Sequence, residues 1–240
     1  TPRFFDDPMN RVGDVYSAVD YMTTRSDVDT GQIGILGICA GGGFAVKAAS
    51  IDHRIKAVGT VSAVNVGDAT RYGWEGKGSE TDILGTIEAL GKQRIAEANG
   101  AEPVYVPYVP KLGDITAPRD LQEAANYYLT PPNQHPNAQN KMLMNGLGAW
   151  IGFDAFDLVK NLLIQPISII AGNEAGSLWH SQKLYEKASG QKELHIIDNA
   201  SHMDFYHKPQ FVDLAVEKLS QFFDKNLKQA KNIEEDTKKD

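Results

Sequence analysis

The one cysteine of this 240-residue chain, Cys39, has a setting that suits a nucleophile. It follows the apolar run Ile33–Ile38, and glycines stand two residues before it (Gly37) and two residues after it (Gly41). This order of strand, sharp turn and helix matches the motif Gly-x-nucleophile-x-Gly, in which a strained turn requires small neighbours. The helix start and the Ala40 amide would lower the thiol pKa and stabilise an oxyanion. We therefore predict Cys39 as a nucleophile and Ala40 as an oxyanion donor, against a buried structural cysteine in a packing turn.

A cysteine nucleophile needs a base, and His202 is the histidine in a suitable position. The chain has six histidines. His202 lies in a short loop that follows the last predicted strand, and parallel strands bring such loops to the same edge of a sheet as Cys39. We therefore predict that His202 is the base that activates the thiol.

A third group should hold the imidazole in one tautomer. It is expected just after the strand that ends at Gly172, where Glu174 is the only carboxylate of the loop. Asp68, beyond the preceding strand, and Asp204, two residues past His202, are the alternatives. We predict that Glu174 contacts the ring nitrogen that faces away from the thiol.

The elements around these residues alternate between helix and strand. A helix from about 8 to 24, strands at 33–38 and 54–64, and a helix between them indicate a parallel sheet with crossover connections. After residue 165 a strand, a helix, a strand and an amphipathic final helix follow. The organisation that we predict has four parts: hydrolytic core residues 1–65 with the cysteine turn, an inserted lid at 66–165, a second core part at 166–227 and a charged tail at 228–240.

Composition excludes several classes of function. The net charge is −7, and no basic stripe with interleaved aromatic residues suggests nucleic-acid binding. No apolar run approaches the length of a membrane span, and the N-terminal residues show no signal-peptide pattern. A single free thiol suits the reducing cytosol, so we predict a cytoplasmic protein. We expect neither a metal nor a cofactor.

The motif Gly37-Ile38-Cys39-Ala40-Gly41, the lid and the segment Ser201–Tyr206 together resemble the alpha/beta-hydrolase superfamily, near its dienelactone-hydrolase-like branch. The resemblance implies an α/β fold, with a mostly parallel sheet and helices on both faces. It also implies Cys39 as nucleophile, His202 as base and the Ala40 amide as one oxyanion donor. The implied activity is hydrolysis of an ester, lactone or thioester of a small acyl substrate through an acyl-cysteine intermediate.

Two other functions fit parts of the pattern. The cysteine turn also resembles that of class I glutamine amidotransferases, and His202-Met203-Asp204 resembles their His-x-Glu step. The position of His202 after a lid and two more strands favours the hydrolase order. A hydrolase fold without catalysis, used as a binding module, is the second alternative.

The resemblance also implies strands that this chain does not supply. In the superfamily three or four strands, and a loop with the second oxyanion amide, precede the helix predicted from Pro8. The apolar strand Ile33–Ile38 should lie inside a parallel sheet with a neighbour on each side. We therefore expect a C-terminal part of a longer protein, with the missing N-terminal segment as partner and a homo-oligomer as a further option.

Overall fold

The main sheet is parallel and has four strands within residues 3–228, the part of the chain that the computed structural model describes. Its order is β1-β2-β5-β6, with every neighbouring pair parallel. The two remaining strands, β3 and β4, form a separate antiparallel pair. The strands are β1 (Ile33–Ile38), β2 (Ile55–Val61), β3 (Tyr105–Val106), β4 (Met142–Leu143), β5 (Ile167–Gly172) and β6 (Lys192–Ile197).

Ten α-helices connect and cover these strands in the described residues. Helix α2 packs against β1 and β2, and the last helix packs against β1, β2 and β5. The predicted α/β class with a mostly parallel sheet is confirmed. The helices are α1 (Pro8–Thr23), α2 (Ala40–Ile51), α3 (Val66–Tyr72), α4 (Leu84–Ala98), α5 (Arg119–Leu129), α6 (Leu147–Gly152), α7 (Val159–Leu162), α8 (Leu178–Lys187), α9 (Asp204–His207) and α10 (Pro209–Lys228).

The last helix lies close to the sheet because two strands carry glycine beneath it. A Cβ added at Gly34 would lie 2.9 Å from Phe223, and one added at Gly59 would lie 2.7 Å from Leu219. The core at this face contains buried apolar side chains of β2, β5, β6 and α10. This packing anchors the final helix, and His202 lies upstream of it, in the loop between β6 and α9.

Strand β1 is at an edge of the sheet. Among the described residues it pairs with β2 alone. Ile33 is buried, but Leu36 and Ile38 remain 47% and 45% exposed. The expectation of an interior strand buried on both sides therefore does not describe β1 within residues 3–228.

The described chain forms two compact units. One contains residues 3–8 and 66–153, and the other contains residues 9–65 and 154–228. The predicted insertion began at residue 66 as well, but it extended to residue 165. Residues 154–165 belong with the sheet because Asn65 binds both Asp154 and the Ala155 amide, at 2.8 and 3.1 Å, and because α7 packs against α2. The predicted charged tail lies, apart from Lys228, outside the described residues.

The inserted unit is more regular than its sequence suggests. Prolines, which interrupt regular structure, follow Tyr105–Val106 at positions 107 and 110, yet this segment pairs as β3 with β4. The glycine-containing stretch after Asn65 begins with helix α3. Its Arg71 guanidinium donates to the carbonyls of Ile151 and Phe153, at 2.5 and 2.8 Å, and thereby joins the two ends of the unit.

Close packing at the turn after β1 gives a stability prediction. A Cβ at Gly37 would lie 2.3 Å from the Gly41 carbonyl oxygen, whereas a Cβ at Gly41 would meet nothing within 4 Å. We expect Gly37→Ala to lower the free energy of unfolding by about 1–3 kcal/mol or more, as overpacking does. The matched variant Gly41→Ala should leave it unchanged or raise it, because alanine favours a helix interior. Urea denaturation of both variants measures this, and equal losses would contradict the packing argument.

Candidate active site

Cys39 occupies the sharp turn between β1 and α2. Its backbone has φ 54° and ψ −127°, an unusual conformation for a residue other than glycine. Three backbone hydrogen bonds hold it: the Cys39 amide donates to Val61 at 3.0 Å, and its carbonyl accepts from the amides of Gly42 and Val64 at 2.9 Å. Such strain persists only where the surroundings enforce it, and it points to function. The predicted tight turn is present, although the crowded glycine is Gly37 and not Gly41.

His202 faces the thiol of Cys39. The loop after β6 brings the imidazole to the carboxyl end of the sheet, where only 1% of the residue is exposed. Burial alone raises the pKa of the Cys39 thiol. The charge of His202 and hydrogen bonds from His202, Tyr206 and the Ala40 amide outweigh that effect, so the pKa lies below its usual value. The arrangement therefore favours the thiolate form of Cys39.

The second ring nitrogen of His202 contacts a serine. The Oγ of Ser177 lies 2.6 Å from Nδ1 of His202, and Ser177 is itself 1% exposed. Because Nδ1 binds Ser177, Nε2 is the nitrogen that faces Cys39. The three side chains come from the ends of three parallel strands, β1, β5 and β6, as such sheets favour.

The three carboxylates considered from the sequence lie in different surroundings. Glu174 is exposed, and its backbone amide donates to Ala200 at 3.0 Å. Asp68 lies in the inserted unit, where its Oδ1 accepts from Arg71 at 2.9 Å. Asp204 accepts from the Ser201 amide at 3.0 Å and pairs with Lys208 at 2.7 Å, so it shapes the loop that carries the histidine. At Nδ1 the structure shows a hydrogen bond to the hydroxyl of Ser177, and the contact predicted for Glu174 stays a prediction.

A second histidine is buried beside the first. His180 is fully buried and its ring stacks on Trp179 with centroids 3.7 Å apart. Burial, together with the charges of Lys183 and His202, lowers the pKa of His180 to about 3. His180 is therefore neutral at ordinary pH and does not compete with His202 as a base.

Two residues that contact the site were not predicted from the sequence. Tyr206 donates to the Cys39 thiol, and its ring centroid lies 6.0 Å from that of His202. Its closeness in sequence to the histidine, four residues away, was the available signal. Ser177 gave no such signal, because a serine just before a helix predicts a cap.

Comparisons with known proteins place this geometry in a family. Residues 4–63 match the model of the dienelactone hydrolase family. The uncharacterized protein YcjY of Escherichia coli (strain K12) is 40% identical over 227 residues, which cover 94% of this chain and 74% of YcjY. The chain belongs to the dienelactone-hydrolase-like branch of the alpha/beta-hydrolase superfamily. The predicted family is thus confirmed, and so is its consequence, a hydrolase.

Solved structures agree with this alpha/beta-hydrolase assignment. The crystal structure of the hypothetical protein PA2218 from Pseudomonas aeruginosa is 30% identical, with a TM-score of 0.86 over 95% of this chain and 71% of that one. The crystal structure of the alpha/beta hydrolase GrgF from Penicillium sp. is 21% identical, with a TM-score of 0.73 over 94% of this chain and 74% of that one. The second likeness shows the fold. GrgF is described as a polyketide transferase.

The described residues of this hydrolase contain neither a metal-site arrangement nor a helix suited to a membrane. No group of three or more histidine, cysteine, aspartate or glutamate side chains there has the arrangement of a metal site. No helix among residues 3–228 combines the length and apolar character that a membrane span requires.

Proposed function

We propose that this hydrolase cleaves an ester, a lactone or a thioester of a small acyl compound through an acyl-cysteine intermediate on Cys39. The observation that carries the proposal is the hydrogen bond between the Cys39 thiol and His202 in a strained turn at the start of α2. A buried structural cysteine has no need of a positive φ or of a paired imidazole. Nucleophile and base within hydrogen-bond reach are the signature of nucleophilic catalysis.

The proposed reaction has two halves. In the first, the thiolate attacks the carbonyl carbon and forms a C–S bond, the bond from that carbon to the alcohol or thiol breaks, and His202 gives its proton to the departing group. In the second, His202 takes a proton from water, the resulting hydroxide attacks the acyl carbon, and the C–S bond breaks to return the thiolate. The Ala40 amide, which donates to the sulfur in the free protein, would donate to the oxyanion of each tetrahedral intermediate.

The surroundings of Asp204 favour a hydrolase over a glutamine amidotransferase. In the His-x-acid step the acid serves the histidine, whereas Asp204 binds the Ser201 amide and Lys208. The name of GrgF, a polyketide transferase, suggests a related possibility, in which the acyl group passes to an acceptor other than water. Adding alcohols, amines and thiols to the hydrolysis assay tests for such transfer.

Intact-mass analysis tests the proposed intermediate. The protein is incubated with a series of nitrophenyl esters, acyl thioesters and lactones, and with glutamine. We expect a mass increase equal to one acyl group, absent from Cys39→Ala. Release of ammonia from glutamine without acylation by the esters would support an amidotransferase instead, and no adduct with any substrate would support the binding-module alternative.

Thiol reactivity gives a prediction of its own. Because the pKa of Cys39 lies below its usual value, a larger thiolate fraction survives at pH 6 than in an ordinary thiol. We expect native Cys39 to react with iodoacetamide at pH 6 about tenfold faster than the same cysteine in urea-denatured protein. The advantage should vanish above the usual thiol pKa, where both forms are ionised. A slower native reaction at pH 6 would show a protonated, inaccessible cysteine.

We also propose that a strand from outside these 240 residues pairs with the open side of β1 and supplies a second oxyanion amide. The exposed Leu36 and Ile38 support this proposal, as does the greater length of YcjY. The chain alone should then associate with itself, and a longer form should not. Light scattering of the two forms tests it. A monodisperse, fully active 240-residue chain would contradict the proposal.

A further inference from the structure

We propose that Ser177 is the positioning residue that holds the His202 ring for catalysis, in the place where a carboxylate was expected; this role rests on the hydrolase proposed above. The two side chains meet at 2.6 Å, a short distance for an oxygen and a ring nitrogen, and both are 1% exposed. A contact that excludes water to this extent fixes a ring well, because solvent does not compete for the hydrogen bond.

The hydroxyl of Ser177 does not cap helix α8, although its sequence position predicts that it would. Ser177 directly precedes α8, where a serine normally accepts a hydrogen bond from an amide of the first helical turn. The structure shows no such side-chain cap at Ser177. The hydroxyl instead contacts His202, so the helix forgoes a cap in favour of the histidine.

The backbone of the two loops fixes the distance between Ser177 and His202. The loop after β5 and the loop after β6 touch at Gly172, where an added Cβ would lie 2.0 Å from the Ala200 carbonyl oxygen. The Glu174 amide donates to the same carbonyl at 3.0 Å, and the Asn173 amide donates to Ile197 at 3.0 Å. The hydroxyl and the ring therefore belong to one rigid arrangement.

A neutral acceptor is chemically sufficient for a thiol nucleophile. A serine hydroxyl is a very weak acid and needs a strong base, but a thiol ionises near neutral pH and gives up its proton to an imidazole readily. The Nδ1–H of His202 donates to the Ser177 hydroxyl, which selects the tautomer with Nε2 toward Cys39. Cys39, Tyr206 and the neutral His180 are titratable groups that also lie at the ring.

Substitution of Ser177 in the whole chain tests this role through the pH profile of turnover. Removing the acceptor in Ser177→Ala should lower kcat about ten- to a hundredfold with little change in KM, because the ring loses its orientation. A partner at Nδ1 binds the protonated ring more strongly than the neutral one. The alkaline limb should therefore move to lower pH in Ser177→Ala by about 0.5–1 unit, and to higher pH in Ser177→Asp. Ser177→Thr, which keeps the hydroxyl, should restore the profile.

Ser181→Ala is the matched control. Ser181 is also fully buried in α8, and its Oγ has no hydrogen-bond partner in the described structure. This variant should change neither the pH profile nor the thiolate absorbance at 240 nm, which should fall in Ser177→Ala. Opposite shifts for alanine and aspartate cannot arise from loss of structure alone, and the aspartate variant suffices if the alanine variant does not fold.

Two outcomes overturn the role of Ser177. One is an unchanged alkaline limb in both the alanine and the aspartate variants, with normal acylation of Cys39. The other is a shift produced by Glu174→Gln alone, which would restore the carboxylate predicted from the sequence. An absence of acylation in the parent protein is a different result, because it removes the proposed function and the role of Ser177 with it.

Discussion

Cys39→Ala is expected to abolish turnover and to leave the fold intact. The acyl group would have no atom to bond to, and losing a nucleophile typically costs about 10⁴- to 10⁶-fold in kcat. Alanine is smaller than cysteine and enters the turn without a new contact, although the positive φ of 54° persists. The turnover rate with the best ester measures the loss of activity, and the thermal unfolding midpoint measures whether the fold is intact.

Cys39→Ser is the informative companion of the alanine variant. It keeps a nucleophile, but a hydroxyl ionises far less readily than a thiol, and Ser177 offers His202 no negative charge to strengthen it as a base. We expect turnover well below that of the parent and above that of Cys39→Ala. Hydrolysis by the alanine variant at the parental rate would remove Cys39 from the mechanism.

His202→Asn should produce the second-largest loss, about 10³- to 10⁶-fold in kcat. Among the effects that hold the pKa of Cys39 below its usual value, against burial, the charge and the hydrogen bond of His202 are the largest. Without them burial should prevail, and the thiol should require a higher pH to ionise. The variant therefore differs from Cys39→Ala in a measurable way, since its thiol is present but protonated.

Alkylation of His202→Asn as a function of pH checks this explanation. The iodoacetamide reaction should rise at a higher pH than in the parent, with the same rate at the alkaline plateau. His180→Gln is the matched control, because His180 is buried in the same unit and is neutral at ordinary pH. An unchanged alkylation profile in His202→Asn would mean that another group ionises the thiol.

Cys39 and His202 could be predicted because local features identify them, whereas the rest of the site depends on packing between distant residues. The cysteine turn is recognised from adjacent residues, and the order of the strands gives the position of the histidine. Ser177 was missed because the same residue type at the same position predicts a helix cap, and because Glu174 satisfied the expected pattern three residues earlier. The backbone contact that brings the two loops together, at Gly172 and Ala200, joins residues distant in sequence and has no local pattern.

The boundaries of the insertion were also hard to predict, because they depend on contacts between residues distant in sequence. Strands of the sheet and amphipathic helices follow the apolar pattern, and most were predicted within a few residues. The return of the chain to the sheet unit at Asp154 depends on Asn65, which is 89 residues away. A polar contact over such a separation leaves no periodic trace in the sequence.

The edge position of β1 has a consequence for the motions of the site. In the described residues β1 bonds to β2 on one side only, so every second amide along Ile33–Ile38 points away from the sheet. Those amides should exchange with deuterated water orders of magnitude faster than the amides of β2 and β5, which are paired on both sides. Cys39 follows β1 and His202 follows β6, the two edge strands of this sheet in the described residues, whereas Ser177 follows the central strand β5. Local opening would therefore loosen the nucleophile and its base before the serine that holds the base.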